Sequence, residues 1–349
     1  MSYKMNDTVL FDSDGPGNIA TFSKVIVGVH HAPPSDTSHG YTSGGLADPP
    51  GYVTATIERF SFASAANSTT YGSLNKNVSN VTGHSSSTHG YTTGGINNQP
   101  PFSYPFASPL QHPTGRKNYI YKFLFGTGSD ASDIGDLINS PVSSAGQSSS
   151  THGYVSGGDG PPVLNTIQKF PFSTDANSTD IADLTQARVY ATGVSSSTHG
   201  YTAGGMPNDS PLFGTKVNTI DKFPFSSDDN ATDVGDLNSN RAFGAGANSG
   251  SHGYVTGGYA YPNAYEPSTA RFPFSSDTNA TVVGAIGTGF GTWGGPIAGH
   301  SSPTHGYTSG GGQSTSFTHI TRFSFAVEDD GAEIGDLQLR RFAAGGHQG

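Results

Sequence analysis

Six histidines recur at similar intervals, and imidazole is the side chain in this sequence best suited to metal binding or acid–base chemistry. Each one precedes Gly-Tyr: His39, His89, His152, His199, His252 and His305. The ligands of one zinc ion must lie about 2 Å from it, and equivalent positions on successive repeats are too far apart for that. We therefore interpret His-Gly as a turn into a strand, with glycine supplying a positive φ, and we predict no metal site.

A basic residue precedes every copy of a Phe-x-Phe pattern. The six copies follow Arg59, Lys122, Lys169, Lys222, Arg271 and Arg322. A cation at a fixed place in each repeat could bind an anion or pair with a carboxylate of a neighbouring repeat. We favour the ion pair, with carboxylates such as Asp136, Asp183 or Asp236 as partners.

Three acidic clusters could attract cations. Asp12-Ser13-Asp14-Gly15 resembles the opening of a calcium loop, but no glutamate follows where an EF-hand requires one. Asp228-Asp229-Asn230 and Glu328-Asp329-Asp330 follow Phe-x-Phe patterns. We interpret both as solvated turns, with a surface cation as the alternative.

No catalytic constellation is visible in the sequence. The chain contains no cysteine, so thiol chemistry, disulfides and thiolate metal sites are excluded. A Gly-x-Ser-x-Gly nucleophile motif is also missing. Paired carboxylates of the glycosidase type are not visible in a sequence, but the carboxylates here follow the repeat and so favour a scaffold role. We predict no catalytic residues and no cofactor.

These residues belong to a repeat whose copies of His-Gly-Tyr are 50, 63, 47, 53 and 53 positions apart. Each copy is followed by a glycine pair, then Phe-x-Phe, then Gly-Asp-Leu or a relative such as Gly235-Asp236-Leu237. A fourth module ends in serines, as in 188–197. Each module is short, rich in β-branched or aromatic residues and bounded by turn formers, which is typical of strands. Four short strands per unit predict propeller blades and almost no helix.

The order of the modules resembles the kelch repeat. The match reads Arg241 to Gly246, then His252-Gly253-Tyr254-Val255-Thr256-Gly257-Gly258, then Phe272-Pro273-Phe274-Ser275-Ser276-Asp277. It covers nearly the whole chain, but the tryptophan usual in the fourth kelch strand is missing and Trp293 is the only tryptophan. The resemblance implies an all-β propeller with four-stranded blades and implies no particular function.

The chain ends suggest how the blades are counted. Complete repeats run from about 25 to 337, and the residues around Arg341 add one more first strand. Residues 1–24 read as the remainder of that unit. We therefore predict a single domain over 1–349: a seven-bladed, kelch-like propeller whose last blade is shared between residues 1–24 and 338–349. Six blades with loose tails is the alternative.

Binding residues are expected where the repeats diverge, because function on a repeated scaffold lies in the differing loops. The loops after the glycine pairs differ most, and the longest is an insertion over 96–118. Rigid, aromatic loops suit a contact surface. We predict that this surface includes Tyr52, Phe102, Tyr104, Phe106, Arg116, Phe213, Tyr259, Tyr261 and Tyr265.

Charge and composition limit the partners. The formal net charge of −10 argues against nucleic acid, which needs a basic face. No apolar run reaches the ~20 residues of a membrane helix, and the N-terminus lacks the pattern of a signal peptide.

The Ser-Ser-Ser-Thr-His-Gly-Tyr version of the repeat also resembles repeats in virion proteins of marine phages and algal viruses. This implies a tail, fibre or capsid-associated structural component that contacts other protein subunits, located in the virion or otherwise in the cytoplasm. A glycan-binding adhesin for host recognition is the alternative.

Overall fold

The computed structural model describes residues 3–5, 8–11, 38–47, 52–97, 115–207, 215–260, 264–286, 297–312 and 317–349. The chain divides into two compact units, 1–32 and 33–349. In the first unit, strand Tyr3–Met5 pairs antiparallel with strand Thr8–Phe11. The predicted acidic cluster at 12–15 and a predicted first strand near residue 25 lie outside the described residues.

Six antiparallel sheets of four strands each make up most of the second unit. We number the sheets in chain order and name their strands a to d across each sheet. Sheet 1 consists of Gly345–Gln348, His39–Ser43, Thr56–Ser61 and Thr69–Ser73. Sheet 2 consists of Thr82–Ser85, His89–Thr93, Tyr119–Leu124 and Ser132–Asp136. Sheet 3 consists of Ala145–Ser148, His152–Ser156, Thr166–Pro171 and Thr179–Asp183.

The remaining three sheets repeat this order. Sheet 4 consists of Thr192–Ser195, His199–Ala203, Thr219–Pro224 and Thr232–Asp236. Sheet 5 consists of Ala245–Asn248, His252–Thr256, Ser268–Pro273 and Thr281–Ala285. Sheet 6 consists of Ala298–Ser301, His305–Ser309, His319–Ser324 and Ala332–Asp336. The described residues contain no helix, so the all-β prediction is confirmed for them.

Two smaller sheets of three strands accompany sheets 1 and 5. The first joins Arg341–Phe342, Leu46–Ala47 and Tyr52–Val53. The second joins Arg241–Ala242, Tyr259–Ala260 and Ala264–Tyr265. In both, the segment before strand a pairs with the start of the loop between strands b and c.

The position of the last strand corrects one part of the sequence interpretation. Gly345–Gln348 was expected to join residues 1–24 in a seventh sheet, but it pairs with His39–Ser43 as strand a of sheet 1. The physical reason is that strand b of the first repeat needs a neighbour with the pattern of every other strand a. Gly346 and His347 supply that pattern, since successive residues of Gly345–Gln348 alternate between buried and half-buried as they do in Thr82–Ser85.

Strand a of each sheet approaches its neighbours through one glycine. A Cβ atom added to Gly193 would lie 2.1 Å from the carbonyl oxygen of Gly146, which is inside any permitted contact. The same relation holds at all six equivalent places, from Gly146 to Gly83, Gly193 to Gly146, Gly246 to Gly193, Gly299 to Gly246, Gly346 to Gly299 and Gly83 to Gly346. Only glycine allows backbones to approach this closely.

Aromatic stacking joins the sheets further from these glycines. The tyrosine of His-Gly-Tyr in one sheet stacks on the second phenylalanine of Phe-x-Phe in the next. The pairs are Tyr41–Phe125, Tyr91–Phe172, Tyr154–Phe225, Tyr201–Phe274, Tyr254–Phe325 and Tyr307–Phe62, with centroid separations of 4.3–5.1 Å. This tyrosine therefore packs between repeats, and the last sheet stacks on the first.

Candidate binding surface

The loops between strands b and c start from short backbone pairings that are alike in most repeats. Single bridges join Ser79 to Ile96, Val142 to Asp159 and Val189 to Met206. The small sheets of the first and fifth repeats make the corresponding pairing with two residues on each strand. Because the same edge anchors each loop, the described loop bases of sheets 1 to 5 share one kind of support, and they carry the residues that differ most between repeats.

Five residues next to these pairings form a feature that we call the rim: Asn80, Ser143, Tyr190, Phe243 and Ala343. Each has a positive φ, between 55° and 67°, although none is glycine. Their backbones form a hydrogen-bonded chain from sheet to sheet, in which each N–H donates to the carbonyl of the preceding repeat's residue. The bonds run from Phe243 to Tyr190, Tyr190 to Ser143, Ser143 to Asn80 and Asn80 to Ala343, at 2.8–3.0 Å.

This conformation is strained for residues other than glycine, and such strain persists only where the surroundings impose it. The rim therefore holds one backbone geometry in five repeats while its side chains are all different. Tyr190 and Phe243 place their rings 4.2 Å apart. Burial raises the pKa of Tyr190 to about 12, and the nearby Asp159 carboxylate adds to the effect, so this phenol is a neutral donor at physiological pH.

Arg116 connects the loops of sheets 2 and 3 beside the rim. Its guanidinium forms an ion pair with Asp159, with 2.7 Å between Nη2 and Oδ2, and it also donates to the Asp159 carbonyl. Both side chains are largely buried. A bidentate arginine contact fixes orientation as well as charge. Arg116 is thus positioned at the predicted surface, where it holds two loops together.

The other predicted binding residues divide between exposed and internal positions. Tyr52 is 49% exposed at the base of the first loop. Tyr259 is buried, with the Lys216 ammonium group 4.7 Å from its ring centroid, and Tyr265 is half-buried. The remaining five, Phe102, Tyr104, Phe106, Phe213 and Tyr261, lie outside the described residues.

A second polar feature lies between neighbouring sheets. An open crevice of about 180 Å³ between sheets 2 and 3 is lined by His89, Lys122 and Asp175, among others. Lys122 pairs with Asp175 at 3.0 Å. Burial lowers the pKa of His89, and the nearby Lys122 charge lowers it further.

The same combination of histidine, base and acid recurs at the next junctions. The ion pairs there are Lys169–Asp228, Lys222–Asp277 and Arg271–Glu328, at 2.5–3.0 Å. The prediction of inter-repeat ion pairs is therefore confirmed for four of the six basic residues, but the partners Asp136, Asp183 and Asp236 are wrong. The acids that pair lie in the turn between strands c and d of the next sheet, because the basic side chain points across the junction toward that turn.

The histidines of His-Gly-Tyr begin strand b and bond locally. In sheet 3, for example, the Thr151 hydroxyl lies 2.8 Å from His152 Nδ1. The role assigned to the following glycine needs correction, since its φ is not positive. A Cβ on Gly153 would lie 2.3 Å from the ring of Phe170 on strand c. Glycine is required there because the phenylalanine ring covers it.

Three other histidines, which do not belong to the His-Gly-Tyr copies, are buried in strand a. His84, His300 and His347 are at most 2% exposed. Each places Nδ1 within 2.9–3.1 Å of a carbonyl oxygen on the next strand a, so Nδ1 carries the proton. Burial lowers the pKa of His84 and His300 to about 4 and that of His347 to about 3. In the sequence, the feature that could have identified His84 and His300 is their shared position just before the serine-rich turn that leads into strand b.

No protein-family model and no curated protein matches the chain. The described residues also contain no helix that is long and apolar enough to cross a membrane.

Proposed function

We propose that the second unit is a six-bladed, kelch-like β-propeller that works as a non-enzymatic binding subunit. The blade count is supported by six four-stranded sheets and by two series of contacts, glycine to glycine and tyrosine to phenylalanine, that lead from sheet 6 back to sheet 1. Pairing of the C-terminal strand with the first repeat supports closure of the ring without a free sheet edge.

The partner that we propose is a protein subunit, so that the chain builds a larger assembly. The rim carries this proposal, because it repeats one backbone geometry beside the bases of loops that differ between repeats. The repeated tyrosines, and most of the repeated bases, are by contrast engaged between sheets. The residues left for a partner are then those of the loops beside the rim, including the exposed Tyr52. A virion location stays a prediction from the sequence resemblance.

Light scattering after size-exclusion chromatography tests the assembly role. We expect the full chain to form species heavier than a single 36.0 kDa chain. Tyr52→Ser, and replacement of 98–114 by a short Gly-Ser linker, should each shift these species toward the monomer. Val327→Ser is the matched control, since Val327 is 59% exposed in the turn between strands c and d of sheet 6, at the opposite end of the sheet from the loop bases. A strict monomer at every concentration, or loop variants that associate like the wild type, would overturn the proposal.

The inter-sheet crevices favour a second candidate function, which is binding of surface glycans. The crevice between sheets 2 and 3 offers the charged groups of Lys122 and Asp175. Similar ion pairs recur at the next junctions, and repeated weak sites give avidity. A glycan array decides this candidate: binding that falls in Lys169→Ala and Lys222→Ala variants supports it, and a blank array rejects it.

A further inference from the structure

Sheet 6 differs from the other sheets by a cluster of three potential metal ligands near one end. His319 begins strand c, and Glu333 and Asp336 lie opposite it on strand d, where His319 faces Asp336 and Thr321 faces Glu333. His319 Nδ1 lies 3.2 Å from Glu333 Oε2 and 3.7 Å from Asp336 Oδ1. One ligand atom from each of the three lies within 4.8 Å of the others.

These separations match those around a small divalent ion. Bonds of about 2.0–2.2 Å in tetrahedral geometry place neighbouring ligand atoms roughly 3.3–3.6 Å apart, and the two measured distances bracket that value. The imidazole is oriented by stacking on Phe317, with 5.6 Å between ring centroids. The Thr318 hydroxyl donates to Asp336 Oδ1 at 2.5 Å, which fixes that carboxylate as an outer-shell partner would.

Comparison with the other repeats isolates the histidine as the distinguishing group. Sheet 4 has Asp233 and Asp236 at the same register positions on strand d, but Thr219 faces Asp236. Sheet 2 has Asp133 and Asp136 at these positions, with Tyr119 opposite Asp136. Sheet 3 has Asp180 and Asp183, with Thr166 opposite Asp183. Four of the six sheets therefore carry the carboxylate pair, and among these four only sheet 6 adds an imidazole opposite it.

We propose that His319, Glu333 and Asp336 form a binding site for a zinc-class divalent ion. Imidazole together with carboxylates suits zinc and its neighbours, whereas Ca²⁺ and Mg²⁺ prefer oxygen ligands alone. Three protein ligands leave a fourth position for water or for a group of a partner. Asp336 also bonds to sheet 1, because its N–H donates to Asn67 Oδ1 and its carbonyl accepts from the Ser68 N–H. A bound ion would thus stabilise the junction between the last and first repeats.

Calorimetry and thermal unfolding of the full chain test this site. We expect Zn²⁺ to bind with one equivalent that depends on these residues and to raise Tm, with EDTA reversing the shift. Co²⁺ in the same site should give the intense visible absorption of a tetrahedral complex. His319→Gln should abolish this equivalent while leaving the Tm in EDTA within a few degrees of wild type. His152→Gln, in an ordinary repeat, should leave it intact.

A gain-of-function variant makes the test independent of lost folding. Thr219→His places an imidazole opposite the aspartates of sheet 4 and should add a second equivalent of Zn²⁺. The proposal is overturned if Zn²⁺ gives neither heat nor a shift in Tm, if binding is the same in His319→Gln, or if Ca²⁺ binds there in preference to Zn²⁺. The inference is independent of the assembly role, since it concerns only ion binding by this chain.

Discussion

Arg341 and Glu58 form a fully buried ion pair although 283 positions separate them in the chain. Arg341 also donates to the carbonyl oxygens of Gly44 and Thr56, and Glu58 accepts from the backbone N–H groups of Gln338 and Leu339. The pair thereby fixes the C-terminal segment beneath the first repeat. Arg188 and Asp221 form the same buried pair in sheet 4, between residues much closer in sequence.

Removing Arg341 should therefore release the C-terminal strand. Arg341→Met leaves a buried carboxylate without its partner, and breaking such a pair costs about 3–5 kcal/mol. We expect a loss of this size in urea unfolding and faster amide exchange in 345–348. Arg188→Met is the matched control, with a similar loss but no selective exchange in that strand. Unchanged exchange of the C-terminal strand in Arg341→Met would contradict this role.

The glycine contacts between neighbouring a strands predict a sharp position dependence. Gly193→Ala should destabilise the fold by several kcal/mol, because backbone would have to move to admit the methyl group beside Gly146. Gly250→Ala is the control, since a Cβ there meets nothing within 4 Å. Thermal unfolding of the two variants provides the measurement, and equal Tm values would show that the strands are not packed this closely.

The free energy of unfolding should decrease as the pH falls below 6.5. His84, His300 and His347 have a folded-state pKa of about 4, 4 and 3, below the ordinary 6.5. Between those values the unfolded chain takes up protons that the folded chain refuses, so stability is full above pH 6.5 and declines toward pH 4. The loss is on the order of 3 kcal/mol per histidine. Urea unfolding at pH 7, 6 and 5 measures it.

His84→Gln tests the assignment of this acid dependence. Glutamine is the natural residue at the equivalent position of sheet 3, where the Gln147 amide donates to Ser156 and Thr202. We expect the variant to fold and to show a slope with pH that is smaller by up to one proton. The half-exposed histidines of strand b, such as His152, also have a lowered pKa and account for part of the remaining slope. A slope that does not change would reject the assignment.

Relieving strain in the rim should stabilise the fold. Ala343 has a φ of 56°, and glycine adopts that conformation without the clash of a Cβ atom. Ala343→Gly should raise the free energy of unfolding by up to about 1 kcal/mol. Ala344→Gly, one residue on and without a positive φ, should lower it by about 0.5–1 kcal/mol. If both variants lose stability equally, the rim carries no strain at Ala343.

The sequence alone determined the strands of this protein. Spaced copies of His-Gly-Tyr, glycine pairs and Phe-x-Phe fix local structure, because alternating β-branched and aromatic residues between turn formers favour short strands wherever they occur. That is why strands b, c and d of sheets such as sheet 4 fall on the predicted modules.

Tertiary structure decided which copies meet. Every strand a has nearly the same pattern, so nothing local states that Gly346 lies against Gly299 and Gly83 rather than in a sheet of its own. The acid that pairs with Lys169 depends on the direction of the lysine side chain across a junction. The rim depends on positive φ angles that Tyr190 and Phe243 do not prefer. His319 likewise became a candidate metal ligand only because strand pairing places Glu333 and Asp336 beside it. A repeat encodes its own unit, and contacts between units depend on geometry that appears only when the units pack together.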